Sequence, residues 1–210
     1  MKRTIIIALA FVFLASCKDD DIVFHVPQVF RVLEISTDFG EIYIHLYDDT
    51  PLHKENFDSL VSIGYYDSTE FHRCVDDFVI QGGDPNSKDD NRNNDGSGGP
   101  GYTIPAEIDS SVHKHFYGAL AAARTGNMTN PEMRSSGSQF YIVTGINGAH
   151  FLDGQYTTFG RVLAGMDVAK TIEGQPKNGS DLPNDRIKMV VKPVFLTQEQ
   201  LDAKGIVLPE

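Results

Sequence analysis

The chain has 210 residues, 40% hydrophobic and 10% aromatic, with 18 Lys and Arg against 29 Asp and Glu and a net charge of −11. The apolar share excludes a disordered chain, and the length allows one globular domain or two very small ones. The acidic balance excludes nucleic acid as a partner, because phosphate binding needs clustered Lys and Arg, and two Cys cannot make a disulfide framework.

Lys2 and Arg3 precede a nearly unbroken apolar run over residues 4–15, which is too short to span a bilayer. That pattern is a secretory signal. Leu14-Ala15-Ser16-Cys17 resembles the bacterial lipobox, in which the Cys is acylated and the chain is cut just before it. Residues 1–16 are therefore expected to be a lipoprotein signal peptide, and residues 17–28 a lipidated Cys17 with an acidic tether. The implied location is the outer membrane of a Gram-negative envelope, facing the periplasm or the surface. The anchor would be the only membrane contact. Lys18-Asp19-Asp20-Asp21 reads equally as a surface-export signal of some Gram-negative lipoproteins or as a solvated linker. Cleavage leaves 16 basic against 29 acidic residues, a net charge of −13, and acylation of Cys17 leaves Cys74 without an intramolecular partner, as a packed thiol.

Residues 29–35 and 41–46 read as a hairpin turning at Asp38-Phe39-Gly40, with Ile42, Ile44 and Leu46 on one face. Thr50-Pro51 then signals a helix start, with Thr50 as N-cap, and Gly64 a stop. Residues 70–75, 78–81, 117–123, 140–144, 158–163 and 187–195 are further strand candidates, and 165–172 a second short helix. Eight short strands with only two helices predict a mainly β, closed or sandwiched sheet. The domain is placed at 29–197. Residues 84–101 are mostly Asp, Asn and Gly and read as a surface loop. In the 198–210 tail, Leu201, Ile206, Val207 and Leu208 suit docking on the body.

The usual catalytic signatures are weak. Ser135-Ser136-Gly137-Ser138 lacks a nucleophile elbow. His113 and His115 could share a strand face as metal ligands, but nothing nearby completes a set, so a solvated pair is favoured. Asn91, Asn93, Asp95 and Gly96 echo a calcium loop whose final Glu is replaced by Tyr102. No metal or other cofactor is expected. The unusual feature is polar residues inside apolar segments: Arg73, Gln81 and Gln139. Such groups are costly to bury unless hydrogen-bonded. Either they satisfy loop carbonyls or they act on a ligand, and the residues alone leave both open.

Five blocks carry a resemblance: Phe71-His72-Arg73, residues 78–84, residues 118–125, Gly137-Ser138-Gln139-Phe140-Tyr141-Ile142, and residues 151–162. In order and spacing, over about 29–194, they look like the signature blocks of the cyclophilin family of peptidyl-prolyl isomerases. The resemblance implies a closed eight-stranded antiparallel β-barrel capped by two α-helices, and rotation about X-Pro bonds without a cofactor. It implies Arg73 and Gln81 as catalytic residues. Phe78, Val79, Phe140 and Leu152 would form the proline pocket, Ala123 and Arg124 would supply backbone to the substrate, and Gln139 would lie in the groove. Phe151 and Tyr156 complete the implied substrate-binding set, at positions where many members have Trp and His; Val79 stands where many have Met, and Arg124 where many have Asn. Residues 126–134 and 84–101 are longer than in compact members. Expected partners are Pro-containing polypeptides of the envelope or surface, met by a monomer. The competing reading is a surface-anchored module that binds Pro-peptides or a partner with little turnover, motivated by the two long polar loops.

Overall fold

The computed structural model describes residues 27–209. The signal peptide, Cys17 and nearly all of the tether lie outside the described residues. The strands are β1 (Val29–Thr37), β2 (Gly40–Leu46), β3 (Thr69–Val75), β4 (Val79–Gly82), β5 (Thr103–Ile104), β6 (Ala119–Ala122), β7 (Ser135–Ser136), β8 (Phe140–Val143), β9 (Thr158–Ala164) and β10 (Lys188–Thr197). Eight of them close an antiparallel barrel in the order β1-β10-β3-β4-β8-β6-β9-β2, and β5 and β7 form a separate two-stranded sheet. The barrel strands are the eight expected ones, displaced by two residues at most. The β5–β7 pair was not anticipated, because two-residue strands carry no periodicity.

Period-two alternation fills the barrel. Leu33, Ile35, Ile42, Ile44, Ile80, Leu120, Phe140 and Ile142 point inward into one buried cluster with Phe57 and Leu60 of helix α1 (Pro51–Ser62) and Ile172 of helix α2 (Met166–Glu173). A third helix, α3 (Gln198–Ala203), opens with a Thr197/Gln200 capping box. Its Leu201, with Ile206, covers the outer face of β1, β2 and β10 through Val32, Tyr43 and Leu196, so the tail docks. Among the described residues no helix is long and apolar enough to cross a membrane.

The start of α1 differs from expectation. Thr50 occupies the N-cap position, but its hydroxyl donates to the Tyr47 carbonyl and caps nothing. Its backbone (φ −118°, ψ 62°) is off the extended conformation that aims a cap at the helix. The Glu107 carboxylate does this work from across the chain: it accepts from the Leu52 and His53 amides at 3.0 Å and pairs with His53 Nδ1 at 2.6 Å. A carboxylate there also complements the helix dipole.

Candidate active site

The outward faces of β4, β8 and β6 form a second apolar layer. Val79, Tyr141, Val143, Ala119, Ala121 and Ala123 are buried there, with Phe78, Leu152 and Tyr156 packed against them. Small alanines, Ala119 and Ala121 on β6 and Ala123 just after it, leave room, and a pocket of about 260 Å³ opens, lined by Phe78, Val79, Tyr141, Leu152, Tyr156, Ala123, Arg124, Arg73 and Gln81. Its lower walls are apolar and aromatic and its rim is polar, which suits a small apolar ring attached to a polar chain.

Arg73 reaches this rim through a β-bulge. Phe71 pairs with Gly82 and Arg73 with Gln81, so two steps along β3 face one along β4 and His72 is the extra residue. Without it, Phe71 and Arg73 would share the inward face. The bulge instead sends Phe71 and Cys74 into the core and leaves Arg73 half-buried on the outer face beside its register partner Gln81. The loop between α2 and β10 holds this edge, since the Asp181 carbonyl accepts from the Cys74 amide at 2.8 Å. Its carboxylate stands 3.7 Å from the Arg73 guanidinium, where both side chains are two-fifths exposed. Burial pushes the Cys74 thiol up to about 12, so it stays protonated and inert.

Gln81 donates to Gln139 Oε1 at 3.1 Å, and Gln139 in turn donates to the carbonyls of Gly96 and Gly98 at 3.0 and 2.8 Å. The 84–101 loop is therefore fastened to the site. Asp84, fully buried, accepts from the amides of Asn86 and Gly98. A Cβ at Gly98 would lie 2.2 Å from its carboxylate. Gln139 thus satisfies loop carbonyls, and it also lines a larger cavity next to the pocket.

The structure places most sequence-picked residues together, with corrections. Phe140 is not a pocket residue: it points into the barrel among Phe57, Tyr66 and Phe71, and the wall ring is its neighbour Tyr141. The sequence held the signal, because Phe140 and Ile142 share one face of a strand and Tyr141 takes the other. Phe151 is two-thirds exposed and stands outside the pocket, with its ring packed on Phe78 at 5.3 Å. Ala123 cannot supply its backbone to a ligand, since its amide donates to Gln139 and its carbonyl accepts from Ser136. The amide and carbonyl of Arg124 enter no hydrogen bond among the described residues.

Sequence reasoning missed the support behind Tyr141. Its hydroxyl meets Nε2 of the buried His115 at 2.9 Å, and His115 Nδ1 meets Asp153 Oδ1 at 2.9 Å. The carboxylate therefore holds the Nδ1–H tautomer, leaving Nε2 to accept from the phenol. His115 is thus neither a metal ligand nor solvated. Burial holds His115 below its ordinary value of 6.5 despite the opposing Asp153, and does the same to His53 and His72. On unfolding at mildly acid pH these histidines take up protons, so in that window the unfolded state binds more and stability rises with pH. The urea midpoint is expected to fall as pH drops from about 7.5 through 6.5 towards the folded values; a midpoint that stays level would contradict these buried neutral histidines.

The family model described as cyclophilin type peptidyl-prolyl cis-trans isomerase/CLD matches residues 32–192. The chain is 37% identical over 162 residues to peptidyl-prolyl cis-trans isomerase ppi1 of Schizosaccharomyces pombe, covering 75% of this chain and 95% of the relative. It is 36% identical over 152 residues to peptidyl-prolyl cis-trans isomerase B of Bacillus subtilis, covering 72% and 93%. A crystal structure of a cyclophilin type peptidyl-prolyl cis-trans isomerase from Cryptosporidium parvum matches with a TM-score of 0.68 and 29% identity, over 80% of this chain and 99% of the other. A second structure of that protein was determined in the presence of the dipeptide Ala-Pro.

Proposed function

The chain belongs to the cyclophilin-type peptidyl-prolyl cis-trans isomerase family and is a prolyl isomerase; from that premise we propose that it serves polypeptides of a bacterial envelope, with Arg73 as its catalytic residue. The barrier to be lowered is about 18–20 kcal/mol, because resonance gives the C–N bond partial double-bond character. No covalent bond changes, so the site needs only to bind the twisted amide better than either planar isomer.

The pocket residues Phe78, Leu152, Tyr141 and Tyr156 receive the prolyl ring, and the free Arg124 amide and carbonyl hold the neighbouring chain in extended form. Rotation about the remaining bond then becomes the permitted motion. As resonance is lost, the prolyl nitrogen regains a lone pair, and the Arg73 guanidinium at the rim donates to it. Arg keeps its charge at any working pH and presents a planar set of donors. Gln81, tied to Gln139, occupies the register position beside it and limits where the Arg73 side chain can go. The observation that carries this reading is the outward Arg73 at the mouth of an aromatic pocket. Its direct test is the Arg73→Ala variant in a proline-limited refolding assay.

The envelope assignment is supported by the export signal and by Leu14-Ala15-Ser16-Cys17. Cells fed an alkyne fatty acid are expected to label the wild-type protein and not Cys17→Ser. Equal labelling of both would overturn the anchor. Protease shaving of intact cells then reports which side of the membrane the domain faces.

A further inference from the structure

The proline pocket adjoins a cavity of about 850 Å³, which shares Gln81, Ala123 and Arg124 with it. Arg124 and Arg134 line this cavity among neutral polar and glycine residues, and none of the described residues lining it carries a carboxylate. On a chain of net charge −11 this is a local reversal of sign. Four of the chain's eight arginines, Arg73, Arg92, Arg124 and Arg134, line the contiguous cavities around the site, and no lysine does.

Both guanidinium groups in the larger cavity are held by neutral partners. Arg124 donates from Nε to the Gln155 carbonyl at 2.8 Å and from Nη1 to the Thr125 carbonyl at 2.9 Å, and lies over the Tyr156 ring at 4.4 Å. Arg134 donates from Nε to Thr103 Oγ1 at 2.7 Å and from Nη2 to the Thr103 carbonyl at 2.8 Å. The acid beside Arg134 is Glu132, 3.9 Å away with its side chain three-quarters exposed. The two charges are therefore positioned but barely compensated, and each guanidinium retains N–H donors beyond those used internally. A carboxylate entering between them gains charge-assisted hydrogen bonds without first having to order either side chain. An ammonium would meet two like charges.

Chain geometry connects the two cavities. The unpaired Arg124 backbone lies where they meet, and in an extended polypeptide side chains two residues apart point the same way, about 7 Å from each other. A proline seated in the small pocket thus brings the side chain two residues away over the large one. We propose that this enzyme selects prolyl polypeptides carrying a carboxylate side chain two residues from the proline, and that Arg124 and Arg134 recognise it. The inference rests on the isomerase reading of the same site and adds its substrate class.

The test uses the intact protein and four families of otherwise identical prolyl peptides, with Glu, Gln, Ala or Lys two residues before or two residues after the proline. Both kcat/KM and the peptide Kd from fluorescence anisotropy are measured. At low salt the Glu peptide of one series should exceed its Lys counterpart by about ten-fold in both quantities, and raising salt to about 0.5 M should shrink the ratio. Arg134→Gln should collapse the Glu-to-Lys ratio. Glu132→Gln, an exposed change that spares the fold, should widen it. Equal values for Glu and Lys peptides in both series, or a ratio indifferent to salt and to both variants, would overturn the proposal. Absence of turnover on the Ala peptides would count against the isomerase reading instead, and the anisotropy ratio would still decide the charge selection.

Discussion

Replacing Arg73 by Ala is expected to lower kcat/KM on prolyl peptides on the order of a hundred-fold, the usual loss when one preorganised donor is removed from a developing charge. The fold should be unaffected, because the side chain sits on the outer face and its one ion pair, with Asp181, joins two solvent-facing groups. Arg73→Lys should also be impaired, since a single ammonium cannot reproduce the fork that spans from the rim to the prolyl nitrogen. In the proposed role the Arg acts on the twisted amide rather than on the ground state, so the loss should fall mainly on kcat, with peptide affinity changed little. A variant that keeps the wild-type kcat would refute the assignment.

Phe140 and Tyr141, adjacent on β8, should fail in opposite ways. Phe140→Ala removes a ring buried to 1% exposure among Phe57, Tyr66 and Phe71, and is expected to cost about 3–5 kcal/mol of stability. The molecules that remain folded should still bind prolyl peptides, since the pocket lies on the other face of the strand. Tyr141→Ala should weaken peptide binding by about ten-fold or more through loss of the pocket wall, with a smaller effect on the melting temperature. Tyr141→Phe should fall between wild type and Tyr141→Ala, because it keeps the ring and leaves His115 Nε2 with only the longer contact to the Thr158 hydroxyl at 3.4 Å. The reverse pattern, with Phe140→Ala selectively losing binding, would contradict the strand orientation.

Much of this was legible in the sequence for a physical reason. Ile42-Ile44-Leu46 carries the two-residue period of a half-buried strand, and the runs around Ile80, Leu120 and Ile142 are short apolar stretches bounded by turn residues, so the eight barrel strands could be counted before the sheet was seen. Closure and strand order were not legible, since pairing is non-local; closure came with the family resemblance and the order with the structure. Arg73 and Gln81 stood out because buried polar groups in apolar runs demand a partner. The aim of Arg73 was hidden, because the His72 bulge inverts the face of the rest of β3 and leaves no mark in composition. Phe140 has a different lesson: strand alternation groups it with the inward Ile142 and gives the pocket face to Tyr141, and the family resemblance alone does not say which of the two adjacent rings faces the ligand. The Asp153–His115–Tyr141 chain joins residues 38 and 26 positions apart in sequence, a juxtaposition that only the closed barrel creates. The Glu107 cap on α1 escaped for the same reason, being 55 residues from the amide it satisfies.

The site is expected to catalyse rotation about a single bond and nothing else. Exchange spectroscopy by NMR on an Ala-Pro-containing peptide, with the intact protein at a small fraction of the peptide concentration, tests it most directly. Uncatalysed exchange takes tens to hundreds of seconds. The wild-type protein is expected to bring exchange into a range visible as cross-peaks between cis and trans resonances and to leave the cis and trans populations unchanged, and Arg73→Ala to lose nearly all of this effect. Exchange that stays at the uncatalysed rate with the wild-type protein, or an equal acceleration by Arg73→Ala, would contradict it.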